Sequence, residues 1–205
     1  MLSSRPQPPL IPHRRWGRIG LYALCSAFLL TLAVSVSAPR AQHSHESQVG
    51  EYELKAIYLY NFFRFVNWPD DWGVGKDGGN DIGVVGISPF GDALVVLQQK
   101  LRETNSKEIT VKFYGPYTND MDLSGCRLLF ISKSERQNYE KIIATLHGVP
   151  VLTVAENGKF LEAGGMISLV SHNNKVRWSI NRTPVRDAGL RISSKLLEIA
   201  VEVVE

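Results

Sequence analysis

Near its C-terminal end the chain gathers Lys175, Arg177, Arg182, Arg186 and Arg191 around Asn181. A guanidinium is a rigid fork of donors that matches carboxylate or phosphate geometry, so such a set beside an amide suits an anionic ligand or partner. Arg64 is a further candidate, a guanidinium among aromatic residues at the end of a helical pattern. Arg64, Arg177, Asn181 and Arg182 are therefore the polar candidates for one pocket, with Trp68 and Trp178 as rings that can stack beside it. Plain packing offers other readings. Arg64 also fits dipole compensation and snorkelling at a helix C-terminus, and Arg177 falls on the solvent side of its strand.

Catalytic chemistry is poorly supplied. Gly83, Gly86 and Gly91 are too sparse for a dinucleotide fingerprint, and no Gly-Lys-Ser/Thr phosphate loop occurs. Ser132-Lys133-Ser134 follows a strand pattern without the glycines of a nucleophile elbow, and neither His147 nor His172 is placed as its base. His43 and His45 form a His-x-His pair with no cysteine or carboxylate company, which does not make a metal site. The expectation is a protein that is not an enzyme and needs no cofactor or metal.

The elements that must position these residues are readable from periodicity. Tyr52–Val66 is a helix with apolar residues on nearly every side, stopped after Trp68 by Pro69. The stretch 70–80 is a loop by composition. From Asp81 onward, strand and helix patterns alternate. Strands fall at Ile82–Ile87, Ile109–Tyr114, Arg127–Ile131 and Val151–Val154, with helices over Ala93–Leu101 and from Ser134 to Leu146. Strands separated by helices of this length pair in parallel.

Met166–Val170 and Lys175–Ile180 then form a hairpin about the turn His172-Asn173-Asn174, because Asn tolerates positive φ. In the return strand Val176, Trp178 and Ile180 share one face and Lys175, Arg177 and Ser179 the other. Residues 181–184 break the pattern. A closing helix, capped by Ser193 or Ser194, carries Leu196, Leu197, Ala200, Val201 and Val204. The predicted fold is one compact α/β domain, a mostly parallel sheet of about six strands with flanking helices and this C-terminal hairpin plus helix.

The first 41 residues are of another kind. Arg14, Arg15 and Arg18 precede an 18-residue uncharged run, Ile19–Val36, with the small residues Ser35, Ser37, Ala38 and Ala41 at its end and just beyond it. This is the order of an export signal, though the run is also long enough to remain as a membrane anchor. Either outcome puts the domain at 51–205 in the periplasm, after a flexible lead-in at 42–50. The leading segment holds five arginines and no acid, so beyond it 18 basic residues (23 − 5) face 20 acidic ones. The domain is mildly acidic near −2, and the overall +3 gives no warrant for nucleic-acid binding. Beyond the segment Cys126 is the one cysteine, so no disulfide forms within the domain. A buried inert thiol and an intermolecular disulfide are its two readings.

Three stretches together resemble the YfiR family of periplasmic regulators. They are Leu54-Lys-Ala-Ile-Tyr-Leu-Tyr-Asn-Phe-Phe-Arg-Phe-Val-Asn-Trp-Pro69, Gly86-Ile-Ser-Pro-Phe-Gly91, and Gly164 through Val176-Arg-Trp-Ser-Ile-Asn181 to Leu197. The likeness spans about residues 50–203. It implies a non-catalytic protein that binds the periplasmic sensor part of a membrane diguanylate cyclase of the YfiN type and holds cyclic-di-GMP synthesis down. It further implies release by an outer-membrane lipoprotein that sequesters the repressor, a fold that can form a homodimer, and small aromatic or nucleotide-like ligands in some members. Disulfide-regulated members carry cysteine pairs, and this chain departs from them. Another reading from the residues is a small-ligand-binding sensory module that feeds a transporter or histidine kinase.

Overall fold

The computed structural model describes residues 40–70, 80–104, 106, 108–172 and 175–205. Helix α1 spans Arg40–Phe65. It begins well before Tyr52, so the stretch 42–50, expected as a flexible lead-in, is helical. That stretch contains no proline, and each residue added to an existing helix gains a hydrogen bond at modest cost. The signal or anchor expected over 1–41 lies outside the described residues except at its last two positions. Among the described residues no helix is long and apolar enough to cross a membrane.

After α1 come β1 (Val66–Asn67), β2 (Asn80–Val85), α2 (Ala93–Glu103), β3 (Ile109–Gly115) and β4 (Leu128–Ile131). A 3-10 turn over Lys133–Asn138 leads into α3 (Tyr139–Thr145), followed by β5 (Leu152–Ala155), α4 (Lys159–Glu162), β6 (Ile167–His172) and β7 (Lys175–Asn181). The chain ends with α5 (Arg182–Asp187), β8 (Arg191–Ile192), α6 (Ser194–Glu198) and β9 (Glu202–Val204). Within the loop expected over 70–80, residues 71–79 lie outside the described residues, and Asn80 already belongs to β2. Asn173 and Asn174 of the expected hairpin turn are likewise outside them.

Residues Ser44–Glu205 form one compact α/β unit. Its main sheet has the order β3-β2-β4-β5-β6-β7-β9, seven strands against the expected six or so. The steps from β3 through β6 are parallel, β6 and β7 form the antiparallel hairpin, and β9 lies parallel to β7. The inner strands β4 (LLFI) and β5 (LTVA) are buried at every position, as strands covered on both faces must be. A separate two-strand ribbon pairs Val66 with Ile192 and Asn67 with Arg191.

Two expectations at the C-terminus give way. The break at 181–184 is the start of α5, whose first N–H groups are met when Asn181 Oδ1 accepts from Thr183 N–H at 3.2 Å; Pro184 sits in the first turn, where its missing N–H costs nothing. The closing helix ends at Glu198, and the valines assigned to its apolar stripe instead run along the sheet. Val201 N–H donates to Trp178 O at 2.8 Å, and β9 takes up the edge of β7. Val-rich chain is stiff at χ1 and fits a strand, and a free sheet edge offers it a full row of backbone partners.

The sheet carries a helical layer on each face. Leu59 and Phe62 of α1 and Leu94 and Leu101 of α2 pack in one core with Val84, Phe130 and Trp178. Tyr139, Ile142 and Leu146 of α3 and Phe160 and Leu161 of α4 pack in the other, with Leu129 and Ile131. The connections β2–β3 and β4–β5 run in opposite directions along the sheet, so right-handed crossovers put α2 and α3 on opposite faces. Close approach at the far end rests on Gly165, where an added Cβ would lie 2.2 Å from Cε1 of the buried Phe160 ring.

Candidate functional site

Where the direction of connection reverses, between β2 and β4, open α/β sheets leave a crevice beyond the strands' carboxyl ends. Here that crevice is sewn shut. Ser132 Oγ donates to Ile87 O at 2.6 Å, Ser134 Oγ accepts from Ile87 N–H at 2.9 Å, and Ser132 N–H donates to Val85 O. Gly86 makes this possible at φ 90°, because any Cβ there would stand 2.5 Å from Ser134 Oγ. The Ser132-Lys133-Ser134 sequence thus ties two loops together.

The open space lies beside it, under α1. A cavity of about 630 Å³ is walled by Tyr52 and Ile57 of α1, Phe90 of the loop after β2, and Val96 and Leu97 of α2, with Lys100 at its rim. Tyr52 meets Phe90 edge to face at 5.6 Å between ring centroids. One turn further in, Lys55 fastens α1 to the sheet. Its Nζ lies 2.5 Å from Glu51 Oε1 and 2.5 Å from Glu156 Oε1, with the Lys55 and Glu156 side chains only 8% and 9% exposed. Tyr52 Oη donates to Glu156 Oε2 at 3.3 Å, and the ammonium stands 4.5 Å from the Tyr52 ring centroid.

Charge explains how these groups titrate. Burial pulls the Lys55 ammonium down, but its bonds to Glu156 and Glu51 outweigh that and hold it above its ordinary 10.5. Burial and then the Glu156 charge raise the Tyr52 phenol. The same two causes push Tyr139 up to about 12, and its hydroxyl is buried without a hydrogen-bond partner. Among the described residues no group of three or more His, Cys, Asp or Glu side chains is arranged to hold a metal.

The six residues singled out from the sequence occupy different surroundings. Trp178 is a core residue, 4% exposed, with Tyr58 and Phe62 edge-on at 5.2 and 5.7 Å and its Nε1–H donating to Leu196 O at 3.1 Å. Asn181 caps α5, and its Nδ2 donates to Leu161 O at 3.3 Å. Arg64 is exposed and Arg177 half-buried. Arg182 is exposed and ion-paired with Glu205 at the chain's end. Arg182, Arg186 and Arg191 line a cavity of about 290 Å³ floored by Val185, Leu190 and Leu197, so three of the five clustered cations do converge. Asn181 lines a separate cavity of about 380 Å³ between α3 and α5. Neither cavity takes in Arg64, Trp68, Arg177 or Trp178.

Trp68 has a different cation from those expected. Arg127, just ahead of β4, places its guanidinium carbon 5.7 Å from the Trp68 ring centroid, and Phe63 packs on the ring at 5.7 Å. Arg127 Nη1 donates to Asn80 Oδ1 at 3.4 Å. Asn80 Nδ2 and Trp68 Nε1 are both buried donors without a partner, a condition that costs ~1–3 kcal/mol for each such group. Sequence reasoning missed Arg127 and Lys55. The one signal was a charged residue set directly against an apolar run, Arg127 before LLFI and Lys55 inside the encircled helix.

Cys126 is 1% exposed and donates to Leu123 O at 3.5 Å. Burial pushes its thiol from 9.0 up to about 12, which lowers the thiolate fraction at neutral pH about a thousandfold. In a Cys25→Ser protein at pH 8 a chromogenic disulfide reagent is therefore expected to leave Cys126 untouched in the native state and to titrate it at once in denaturant. Rapid reaction of the native protein would show the site to be open.

Two solved structures show how far likeness by shape extends. One, titled as the ABC domain in complex with L-Trp from Streptococcus pneumonia, shares 12% identity at a TM-score of 0.46 over 61% of this chain. A conserved domain protein from Vibrio cholerae shares 12% identity at a TM-score of 0.49 over 74% of it. The chain spans 55% and 60% of those two chains, and likeness at this level carries no functional meaning. The family model is a different matter: the model described as YfiR/HmsC-like matches residues 52–201, from the middle of α1 to the residue before β9. The chain belongs to the YfiR/HmsC-like family.

Proposed function

We propose that the protein is a non-enzymatic periplasmic regulator that binds the periplasmic sensor region of a membrane diguanylate cyclase of the YfiN type and inhibits it, lowering cyclic-di-GMP output. The observation that carries this reading is the family match across residues 52–201, nearly the whole α/β unit. A protein that acts without catalysis must act through its surfaces. Two such surfaces stand out on this chain: the outer side of α1, with Leu54 and Ile57 exposed, and the cationic cavity of Arg182, Arg186 and Arg191. Arg64 and Arg177 extend the positive character available to an acidic partner, with Trp68 and Asn181 nearby in sequence. An outer-membrane lipoprotein that sequesters the repressor and a homodimer belong to the same reading.

The test is recovery from membranes. The full chain, immobilised and incubated with solubilised membranes, is expected to retain a transmembrane diguanylate cyclase and to lower its rate of cyclic-di-GMP formation. Arg182→Glu with Arg191→Glu is expected to weaken that capture about tenfold or more, since opposing like charges at an interface costs on the order of a kcal/mol or several. Recovery of no cyclase, with cyclase output unchanged by added protein, would defeat the reading. The α1–α2 cavity of about 630 Å³ favours one alternative, a small-ligand-binding sensory module feeding a transporter or histidine kinase, because volumes of ~300–1,000 Å³ with aromatic walls suit small ligands. Retention of a kinase or transporter in the same experiment would select it.

A further inference from the structure

We infer that the cavity between α1 and α2 binds a short apolar peptide lengthwise, holding its free ammonium at one end and its free carboxylate at the other. This names a ligand class for that cavity, so it rests on the cavity being a small-ligand site and not on the cyclase.

The walls dictate the body of the ligand. Ile57 of α1 and Val96 of α2 are each 44% exposed where they line the cavity, and Phe90 lies deeper at 3%. Apolar groups that displace water from such side chains gain free energy in proportion to the area covered. The rim dictates the ends. The Tyr52 and Phe90 rings meet at one end, and the carboxylates beside them, Glu53 and Asp92, line the cavity there. Lys100 lines it from further along α2, eight residues beyond Asp92, which at ~1.5 Å per residue is ~12 Å along the axis.

All three charges are uncommitted. An aspartate at a helix N-cap ordinarily bonds an N–H of the first turn, yet the Asp92 side chain makes no such bond. Neither Glu53 nor Lys100 has an ion-pair partner among the described residues. A fitting ligand carries a cation and an anion separated by an apolar body of about that length. An extended chain rises ~3.3 Å per residue, so three or four residues with free termini span the gap. A fatty acid would answer Lys100 but lay its tail against two carboxylates, and an alkyl amine would leave Lys100 unanswered. Exposed charges are individually weak. The apolar contacts therefore supply most of the affinity, and the two ends supply the selection.

Calorimetry on the full chain tests this with trileucine, its N-acetyl, C-amide and doubly blocked forms, sodium octanoate and octylamine. Trileucine is expected to bind saturably at one site, and blocking either end to weaken it about tenfold. Lys100→Glu is expected to weaken trileucine about tenfold but not the C-amide form, which has no carboxylate to lose. Val96→Trp, which fills the groove from an exposed position, is expected to abolish binding. Doubly blocked peptide binding as tightly as trileucine would overturn the proposal. Octanoate or octylamine binding more tightly would keep the cavity as a ligand site and overturn the peptide. No binding by any of the six would overturn both, with capture of a cyclase still decided by its own experiment. A concentration-dependent dimer in sedimentation that Val96→Trp breaks would place a second copy in the groove, and would overturn the proposal as well.

Discussion

Replacing Lys55 with alanine is expected to lower the free energy of unfolding by ~3–5 kcal/mol, the range found when one partner of a buried ion pair is removed and the other charge is stranded. The stranded charge is Glu156, 9% exposed at the carboxyl end of β5, with Glu51 on the neighbouring turn of α1 no longer screened from it. The Tyr52 hydroxyl bond to Glu156 is not enough to compensate, because a neutral donor offers no counter-charge. Urea unfolding of the two proteins measures the difference. The double change Lys55→Met with Glu156→Leu is expected to recover most of the loss, since apolar groups of similar size leave no buried charge behind. A single variant as stable as the parent would mean that Glu156 reaches water.

The same cluster predicts the response to alkali. The folded protein holds the Lys55 proton above the ordinary 10.5, so this group's contribution is complete below that value and fades as pH rises through its raised folded value. Tyr52 acts in the same sense, because a raised phenol keeps its proton in the folded state after the unfolded chain has lost it. Stability therefore falls on the alkaline side of about pH 10, and less steeply in the Lys55→Met/Glu156→Leu protein.

Trp178→Ala is the second large effect, expected at ~3–5 kcal/mol, the usual cost of emptying a buried aromatic site. The ring is 4% exposed between Tyr58 and Phe62, and its N–H holds the Leu196 carbonyl, so truncation both opens a void and frees a buried acceptor. Trp178→Phe keeps most of the volume and separates the two losses. Thermal unfolding decides between this role and a ligand-stacking one: a residue used only for ligand contact would leave the melting temperature of the free protein unchanged.

What could be read in the sequence was whatever is set by near neighbours. The alternation in KVRWSI correctly put Val176, Trp178 and Ile180 on the core side of β7. The strand–helix alternation from Asp81 likewise gave a parallel sheet. The tail LLEIAVEVVE satisfied a helical period and a β-branched composition at once. The free edge of β7, a feature of the assembled sheet, decided in favour of the strand. Lys55 stood as a lone cation in a helix that apolar residues nearly encircle, and its partner Glu156, 101 positions away, could not be read from it. Arg127 meets Trp68 only when β4 is laid beside β2, so no local spacing could couple them. The cations near the C-terminus were visible as a cluster. Three of them share a cavity because α5 and β8 fold around it, while Arg177 is carried away on the hairpin.

The pairing of β1 with β8, together with the late arrival of β9, has a consequence for how the protein comes into being. Residues 66–67 are clasped by residues 191–192, and the last sheet edge is covered by residues 202–204. A chain emerging from its N-terminal end can build β2 through β6 in order, yet both closing contacts wait for its final stretch. Until then the outer edge of β7 and the part of the core that α6 completes stand open to any neighbouring strand. Topology thus delays the final locking of the fold until the tail is free. A bulky addition or a truncation at the C-terminus would act first on the yield of correctly closed molecules, before it acted on the stability of those already closed.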